Sequence, residues 1–354
     1  MRSPGLRHLL SLFPPSLAVL FVATGPHRWW VALAMLPAPF VLVAVDRLSG
    51  TSEGESSEEA SGWPFDLLLV AHAIIHFALV AGYLRLAGRE GILSADFWVG
   101  ALLVGHNTGW SAIIVGHELV HRRSRGLQLL GRALLCTALY EHFATEHVRG
   151  HHVRVGTGDD PATARFGETL SAFKRRTIPA QFRSAWRIEC RRLGDANMGF
   201  WDRRVLRSRV VHGLAAELLL AVAAAVCFGP AAVAALALQA WEAINLLETV
   251  NYFEHWGLSR ADRRVDLHDS WDTESAFTRY ALIGLARHAD HHAHPSRPFH
   301  ALRGVHESPK LPYGYPPMVL LANAWNSRFQ RLMTDELRRR GLGPFAIASP
   351  AAAE

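Results

Sequence analysis

The sequence is poor in cysteine and lacks the short motifs that mark soluble redox proteins. Only three cysteines occur among 354 residues, Cys136, Cys190 and Cys227, and no two of them form a CxxC pair. This spacing excludes a disulfide framework and an iron–sulfur or rubredoxin-type site. No GxGxxG stretch follows a strand-like segment, so no nucleotide-binding fold is indicated. No internal repeat is evident. Any redox chemistry must therefore draw its electrons from another protein.

Long apolar runs are what the sequence has in abundance. Half of the residues are hydrophobic and the mean hydropathy is +0.09. Six windows approach the length of about 20 apolar residues that crosses a bilayer core. They predict an all-α, polytopic membrane protein with about six transmembrane helices. The first window does not read as a cleavable signal peptide, because no small-residue cleavage site precedes a polar region there. The predicted spans are 6–24, 29–46, 65–87, 97–116, 211–228 and 231–250.

The distribution of basic residues predicts how these spans are oriented across the membrane. The chain carries 37 Lys and Arg against 31 Asp and Glu, and its basic residues cluster at 122–209 and from 260 onward. By the positive-inside rule both regions and both termini face the cytoplasm of the inner (plasma) membrane, and no nucleic-acid partner is predicted. The chain then has four parts. These are four N-terminal spans (1–116), a cytoplasmic segment (117–209), a transmembrane hairpin (210–250) and a cytoplasmic C-terminal region (251–354).

The most informative feature is the placement of the histidines, of which the chain has 20. "GHELVHRR", "EHVRGHH" and "RHADHH" form three clusters, and "NYFEHWGL" adds one more histidine. All four segments lie at or just beyond the predicted cytoplasmic ends of spans. The apolar run 127–143 is short and contains Arg132, so we predict that it is interfacial or re-entrant rather than a seventh span. The candidate metal ligands, all then on one side of the membrane, are His117, His121, His147, His151, His152, His255, His288, His291 and His292.

Nine imidazoles exceed what one metal ion takes. Neutral imidazole binds iron, zinc or copper, and zinc sites normally stop at three or four protein ligands. Two ions are therefore implied, and a redox-active pair of irons (Fe²⁺/Fe³⁺) fits the count better than zinc. Two alternatives remain open at this point. HELVH alone matches the HExxH pattern of zinc proteases, and a metal transporter or sensor would also carry histidines.

Carboxylates interleave with these histidines. A ligating histidine usually donates its second N–H to a carboxylate or carbonyl group, which sets its tautomer. Glu248 is the clearest candidate because it lies within an apolar span and should have a partner there. The full set predicted for this role is Glu118, Glu146, Asp160, Glu248, Glu254 and Asp290.

Other histidines receive structural assignments. His72 and His76 lie within the third span and are predicted to be hydrogen-bonded in the membrane interior. The remaining histidines that we predict at the surface are His8, His27, His212 and His306.

Several segments together resemble the integral-membrane alkane 1-monooxygenases, within the wider group of histidine-box membrane hydroxylases and fatty acid desaturases. These segments are "EHVRGHHVRVGTGDDPATAR" (146–165), "LLETVNYFEHWGL" (246–258), "RHADHHAHPSRPFHALR" (287–303) and "LPYGYPPMVLLA" (311–322). The resemblance covers roughly residues 116 to 322, and the family's ligand positions match the nine histidines above. Departures include Arg122, Trp256, Ala286 and Ala289, none of which removes a ligand.

The resemblance implies six spans, a non-haem di-iron site and O₂-dependent terminal hydroxylation of medium- or long-chain alkanes to primary alcohols. Apolar side chains of the first four spans would then cap a channel and set the longest alkane accepted. The closest alternatives are a fatty acyl desaturase and a hydroxylase of alkyl-aromatic methyl groups such as those of xylene or cymene.

The resemblance also implies an electron carrier, a rubredoxin or ferredoxin with its reductase. Such carriers are usually small and acidic, and the segment 175–204 is rich in arginine. We predict that Arg191 and Arg192 belong to the docking surface, while anchoring to anionic lipid is the other role open to these arginines.

Overall fold

Six long apolar helices dominate the computed structural model, which describes residues 4–52, 62–260 and 264–346. Each is long and apolar enough to cross a membrane, as the sequence predicted. Within the described ranges, the regular structure besides helices is limited to two isolated β-bridges. The spans, referred to below as the first to the sixth, are Gly5–Thr24, Trp29–Leu48, Trp63–Glu90, Ala95–Val120, Arg209–Phe228 and Pro230–His255.

The helix ends follow from local sequence. Ser94 caps the fourth span, because its hydroxyl accepts a hydrogen bond from the backbone N–H of Phe97. The fifth and sixth spans are separated by Gly229 alone, whose φ of +85° is accessible to glycine at little cost. Pro230 then opens the sixth span at a position where no backbone donor is needed. These residues make the last two spans a tight hairpin.

The fourth and sixth spans approach each other closely, and glycines on the fourth allow it. A Cβ on Gly105 would lie 2.6 Å from the carbonyl oxygen of Gln239, and one on Gly109 would lie 2.9 Å from Leu246. Small residues at such contacts are typical of helix pairs in membranes. The fourth span also changes geometry here, since Thr108–Ile113 is π-helical. This segment places the last turns of the fourth span beside those of the sixth.

The two buried histidines of the third span make hydrogen bonds inside the membrane, as predicted, although Nδ1 of His76 has no partner among the described residues. Nε2 of His72 lies 2.8 Å from Oγ of Ser11 and its Nδ1 lies 3.0 Å from Oγ of Ser111. Nε2 of His76 lies 2.8 Å from Oγ1 of Thr137. His72 therefore joins the first, third and fourth spans.

The apolar run 127–143 does not form a seventh span. It folds into the amphipathic helix Arg125–Thr137, whose 13 residues reach about 20 Å and cannot cross a hydrocarbon core of about 30 Å. Further helices assemble at the same end of the molecule. They are Phe143–Glu146, the π-helical turn His147–His151, His152–Arg154, Leu170–Arg192, Ala276–Ala281, His288–Ala293, Tyr315–Ala324 and Asn326–Arg340.

The end of the second span ties this assembly to the membrane helices. Asp46 accepts hydrogen bonds from the hydroxyl groups of Ser275 and Thr278, and it is 5% exposed. The helix Ala276–Ala281, which precedes the histidine-bearing helix His288–Ala293, is thereby fixed to the end of the second span.

Two histidines predicted at the surface are buried instead. His8 is 2% exposed, because the first span packs its N-terminal turn against the rings of Tyr280 and Phe299, each 5.0 Å away. The side chain of His27 is 5% exposed and its Nδ1 lies 2.6 Å from a carboxylate oxygen of Asp96. Both predictions were wrong because these contacts join residues far apart in the chain. His212 and His306 are exposed, as predicted.

Candidate metal centre

All nine histidines singled out in the sequence meet at one end of the fourth and sixth spans. Their ring nitrogens form two groups, and within each group the candidate ligand atoms lie within 4.8 Å of one another. The five-histidine group comprises His117, His121, His147, His152 and His291. The four-histidine group comprises His151, His255, His288 and His292.

The end of the fourth span supplies the first pair. His117 and His121 are four residues apart, so they project from the same helical face, with ring centroids 5.3 Å apart. Nε2 of each ring is buried and has no hydrogen-bond partner among the described residues. Both nitrogens are therefore available to a metal ion in the five-histidine group.

A π-helical turn divides the second cluster between the two groups. In an α-helix, His147 and His151 would share a face, and His152 would lie about 100° away from His151. Here His147–His151 is π-helical, and a π turn brings residues five apart onto one face. Nε2 of His147 and Nε2 of His152 accordingly lie 3.0 Å apart in the five-histidine group. His151 turns to the four-histidine group.

The third cluster is also shared between the groups, but by ordinary helical spacing. His288 and His292, four residues apart on the helix His288–Ala293, belong to the four-histidine group, with their Nε2 atoms 3.0 Å apart. His291 points to the five-histidine group. His255 completes the set as the last residue of the sixth span, with its Nε2 3.3 Å from that of His288.

Hydrogen bonds behind two of the rings select their tautomers. Nδ1 of His151 lies 2.9 Å from Oδ2 of Asp160, and Nδ1 of His255 lies 3.2 Å from the carbonyl oxygen of Asp269. Each ring therefore donates from Nδ1 and keeps a lone pair on Nε2 for a metal. Asp269 was not predicted, because a backbone carbonyl carries no sequence signal.

Burial keeps most of the other rings outside the membrane-spanning segments neutral. It lowers the pKa of His121 to about 4 and holds the pKa of His147, His152 and His291 well below the usual value. Burial also lowers the pKa of His151, but the Asp160 carboxylate outweighs it and the net direction is upward. The pKa of Asp160 is correspondingly lowered by His151 despite its own burial. Asp160 is thus a carboxylate that holds a ligand histidine.

The predicted carboxylates occupy different positions around the centre. Asp160 lies behind His151 as described. Oε2 of Glu254 lies 3.4 Å from Nε2 of His288, on the ligand side of the ring rather than behind it. The hydroxyl of Tyr315 donates to Oε1 of Glu254 over 2.6 Å. Tyr315 belongs to the "YGYPP" segment but had no predicted role.

The other four carboxylates bond to groups that are not ligand histidines. Glu118 accepts from Arg122 and from the backbone N–H of Phe299, and Glu146 accepts from Arg154 and Ser184. Their contacts orient the surrounding segments rather than the imidazole rings.

The two remaining carboxylates also have partners of their own. Asp290 accepts from Arg297 through both oxygens, at 2.6 Å. Glu248, fully buried in the sixth span, accepts hydrogen bonds from Tyr140, Gln181 and Asn251.

A narrow apolar cavity ends at the histidines. It follows one face of the fourth span and one face of the sixth. Lining residues recur every four positions over about 12 Å of each helix, namely at Gly109, Ile113 and His117, and at Leu246, Val250 and Glu254. The cavity reaches both groups, because His117, His147 and His288 all line it. Its narrow width and apolar lining suit the end of a slender apolar chain pointing at the histidines.

A basic basin lies on another side of the centre. It encloses about 1220 Å³ and is lined by Arg154, Arg165, Arg176, Arg183, Arg187 and Arg191. Asp160, which hydrogen-bonds His151, also lines it. Of the two predicted docking arginines, Arg191 faces this basin, whereas Arg192 pairs with Glu189 over 2.7 Å.

The donor set fits transition-metal ions. Clustered neutral imidazoles suit iron, zinc or copper, whereas calcium and magnesium require oxygen ligands. Nε2 atoms of His117, His121, His151 and His291 are buried without hydrogen-bond partners among the described residues. Such orphaned atoms cost about 1–3 kcal/mol each unless a ligand satisfies them. The two groups are therefore suited to hold metal.

Comparison with known proteins agrees with this site. Residues 93–322, more than half of the chain, match the family model described as fatty acid desaturase. Alkane 1-monooxygenase 1 of Pseudomonas aeruginosa is 36% identical over 90% of this chain and 89% of its own length. Alkane 1-monooxygenase 2 of the same organism is 36% identical over 84% of this chain and 81% of its own length. The xylene/toluene monooxygenase hydroxylase component of Pseudomonas putida is more distant, at 27% over 58% of this chain and 55% of its own length.

Three findings together identify a multi-pass membrane monooxygenase with a fatty-acid-desaturase-like domain: the six apolar spans, the two buried histidine groups at one end of them, and these matches. The chain belongs to the alkane 1-monooxygenase family.

Proposed function

We propose that the protein uses O₂ to hydroxylate the terminal carbon of medium- or long-chain alkanes, forming primary alcohols at two irons held by the nine histidines. Per turnover, one alkane, one O₂, two electrons and two protons give one alcohol and one water. The name carried by its relatives supports alkanes as the substrate class.

The observation that carries this proposal is the cavity that joins the apolar spans to both histidine groups. Its walls are mostly aliphatic and aromatic, with Trp110 at the end far from His117. A chain that enters lengthwise would present only its end carbon to the histidines. The narrow cavity thereby favours reaction at the terminal carbon over internal carbons. It also excludes bulk water from the reacting end of the chain.

Iron would supply the activation of O₂ that attack on an unactivated C–H bond requires and that no side chain can provide. The protein's own contribution is to hold neutral imidazoles in place. Asp160 orients His151, the carbonyl of Asp269 orients His255, and Tyr315 holds Glu254 beside His288. At the same end, Asn251 lines the cavity and donates to Glu248.

Electrons would come from a rubredoxin or ferredoxin with its reductase, docked at the basic basin. Six arginines line this basin, and complementary charge speeds the encounter with an acidic carrier. The basin also contains Asp160, which is one hydrogen bond away from His151. A carrier seated there would lie close to the four-histidine group.

This arrangement would place the centre and both termini on the cytoplasmic side of the inner membrane. The positive-inside rule supports this side, since the arginine-rich helix Leu170–Arg192 lies at the same end as the histidines. Reduced carriers are available there.

The decisive experiment supplies the purified protein in nanodiscs with an electron-transfer pair and a mixed panel of alkanes, fatty acids and alkylbenzenes. Mass spectrometry of the products should show 1-alkanols as the main oxygenated species. A product pool of unsaturated acyl chains would instead indicate a desaturase, and no oxygenated product would reject the proposal.

A second candidate is hydroxylation of the methyl group of an alkylbenzene. It is favoured by the similarity to the xylene/toluene monooxygenase hydroxylase component. Benzylic alcohols formed faster than 1-alkanols in the same panel would select it.

The docking surface can be tested by charge reversal. Arg187→Glu with Arg191→Glu should raise the carrier concentration needed for half-maximal turnover, and turnover at limiting carrier should fall as salt rises. Arg192 is left intact because its pair with Glu189 supports the fold. The matched control reverses Arg123 and Arg125, which are exposed and lie outside the basin at the start of the helix Arg125–Thr137. Equal effects of both pairs, or no effect of salt, would place docking elsewhere.

A further inference from the structure

A second groove, remote from the histidines, combines an apolar floor with a basic rim. It has a volume of about 430 Å³ and lies between the end of the second span and the two C-terminal helices Tyr315–Ala324 and Asn326–Arg340. Its rim carries Arg47, Arg328 and Arg331, and its floor includes Val43, Leu320 and Leu321. We propose that this groove binds the headgroup and upper acyl chain of an anionic phospholipid.

The groove lies at the depth of the lipid headgroups. Arg47 precedes the last residue of the second span, Leu48, by one position, and Val43 lies one turn, about 6 Å, deeper in the membrane. The floor residue and the rim residue of the same helix therefore face acyl chain and headgroup respectively. Trp325, which lines the groove and is 55% exposed, and Tyr313 are the aromatic types that collect at this level.

The charged side chains that line the groove are mostly basic, which favours the binding of an anion. The three arginines converge on it from two separate elements, the second span and the helix Asn326–Arg340. Asp335 is the carboxylate that lines the groove, and it lies 3.2 Å from Nη1 of Arg338. Arg47 stacks over the ring of Tyr313, with Cζ 4.5 Å from the ring centroid. A phosphate group would supply the negative charge that the rim lacks.

The apolar floor selects lipid over other anions. Arginine rims also attract free phosphate or an acidic protein, but neither would cover Val43, Leu320, Leu321 and Leu332. An acyl chain would cover them and join the lipid that already surrounds the second span. The bound lipid would link this span to the C-terminal helices across the membrane boundary.

The test compares phosphatidylglycerol with phosphatidylcholine of the same acyl chains, bound to the full-length holoprotein and measured by native mass spectrometry. We expect one phosphatidylglycerol to be retained, and Arg328→Gln with Arg331→Gln to weaken its binding about 30-fold, from roughly fivefold per arginine. Arg47→Gln should weaken binding about fivefold from the other side of the groove. Arg123→Gln with Arg125→Gln removes the same charge at exposed positions outside the groove and should leave retention unchanged.

Equal retention of the two lipids would overturn the proposal, as would an equal loss of phosphatidylglycerol in the Arg123/Arg125 control. So would displacement of the lipid by millimolar inorganic phosphate. The last would indicate a site for free anions. Displacement by an acidic electron carrier would also reject it, because the groove would then be a protein-docking surface.

Discussion

Asp160→Asn tests whether the carboxylate behind His151 controls metal binding. Oδ2 of Asp160 accepts hydrogen bonds from Nδ1 of His151 at 2.9 Å and from Oγ1 of Thr163 at 2.6 Å, and Oδ1 accepts from the backbone N–H of Ala162 at 3.2 Å. Asparagine has the same shape, but its NH₂ group would face either Ala162 or His151, both of which are donors. The substitution removes the charge and at least one of the three hydrogen bonds.

The expected effect is a 10- to 100-fold loss of metal affinity in the four-histidine group. Removing the partner of a ligating histidine typically has this cost, which corresponds to about 1.4–2.7 kcal/mol. His151 would remain in place, because the π-helical turn positions its backbone. Its ring would no longer be held in the tautomer that directs Nε2 to the metal. The five-histidine group has no direct contact with Asp160, so the substitution acts directly on the four-histidine group alone.

Anaerobic competition with an iron chelator measures this effect, with Mössbauer spectra reporting the two irons separately. Iron release should begin at 10- to 100-fold lower chelator concentration in the variant than in the wild type. Asp290→Asn is the matched control: Asp290 adjoins His291 in sequence but bonds to Arg297 and His294. It should lower the free energy of unfolding while metal bound per folded chain stays near the wild-type level. Wild-type chelator resistance in Asp160→Asn would refute the role assigned to this carboxylate.

Three further outcomes are expected. His291→Ala removes one nitrogen from the five-histidine group, so metal content per folded chain should fall from about two ions and alcohol formation should stop; full metal content with full activity would remove His291 from the ligand set. Trp110→Ala should open the far end of the cavity and extend the range of accepted alkanes to longer chains, with metal content unchanged. The distribution of alcohol products by chain length measures this effect. An unaltered distribution would place the length limit elsewhere. His72→Phe removes the hydrogen bonds to Ser11 and Ser111 and should cost about 1–2 kcal/mol of unfolding free energy in detergent, measured by thermal or denaturant titration; wild-type stability would show that the membrane-interior bonds contribute little.

The number of spans was predictable because hydropathy acts locally and the bilayer sets a length. The nine histidines also stood out, because their spacing of three or four residues matches one helical face. Their division into groups of five and four was not predictable. It depends on the π-helical geometry at His147–His151, which no residue type in "HVRGH" requires.

Tertiary contacts account for the residues that sequence reasoning misplaced. Glu248 was expected beside a histidine, but Tyr140 and Gln181 reach it from segments more than 60 residues away. His8 was expected at the surface because the sequence around it gives no sign that Tyr280 and Phe299 cover its ring. Burial of a polar side chain indicates that it has a hydrogen-bond partner. Which residue that partner is depends on how distant elements pack.

The π-helical turn affects how metal ions would bind to the two histidine groups. Five consecutive residues carry ligands to both groups, and the helix His288–Ala293 does the same. Two separate backbone segments therefore belong to both ion sites at once. An ion in either group would immobilise the segments that the other group needs, so the second ion would find its ligands already ordered and bind more tightly than the first. Because such coupling is reciprocal, stripping one ion would loosen its neighbour, and chains with a single ion should be scarce at every stage of a titration.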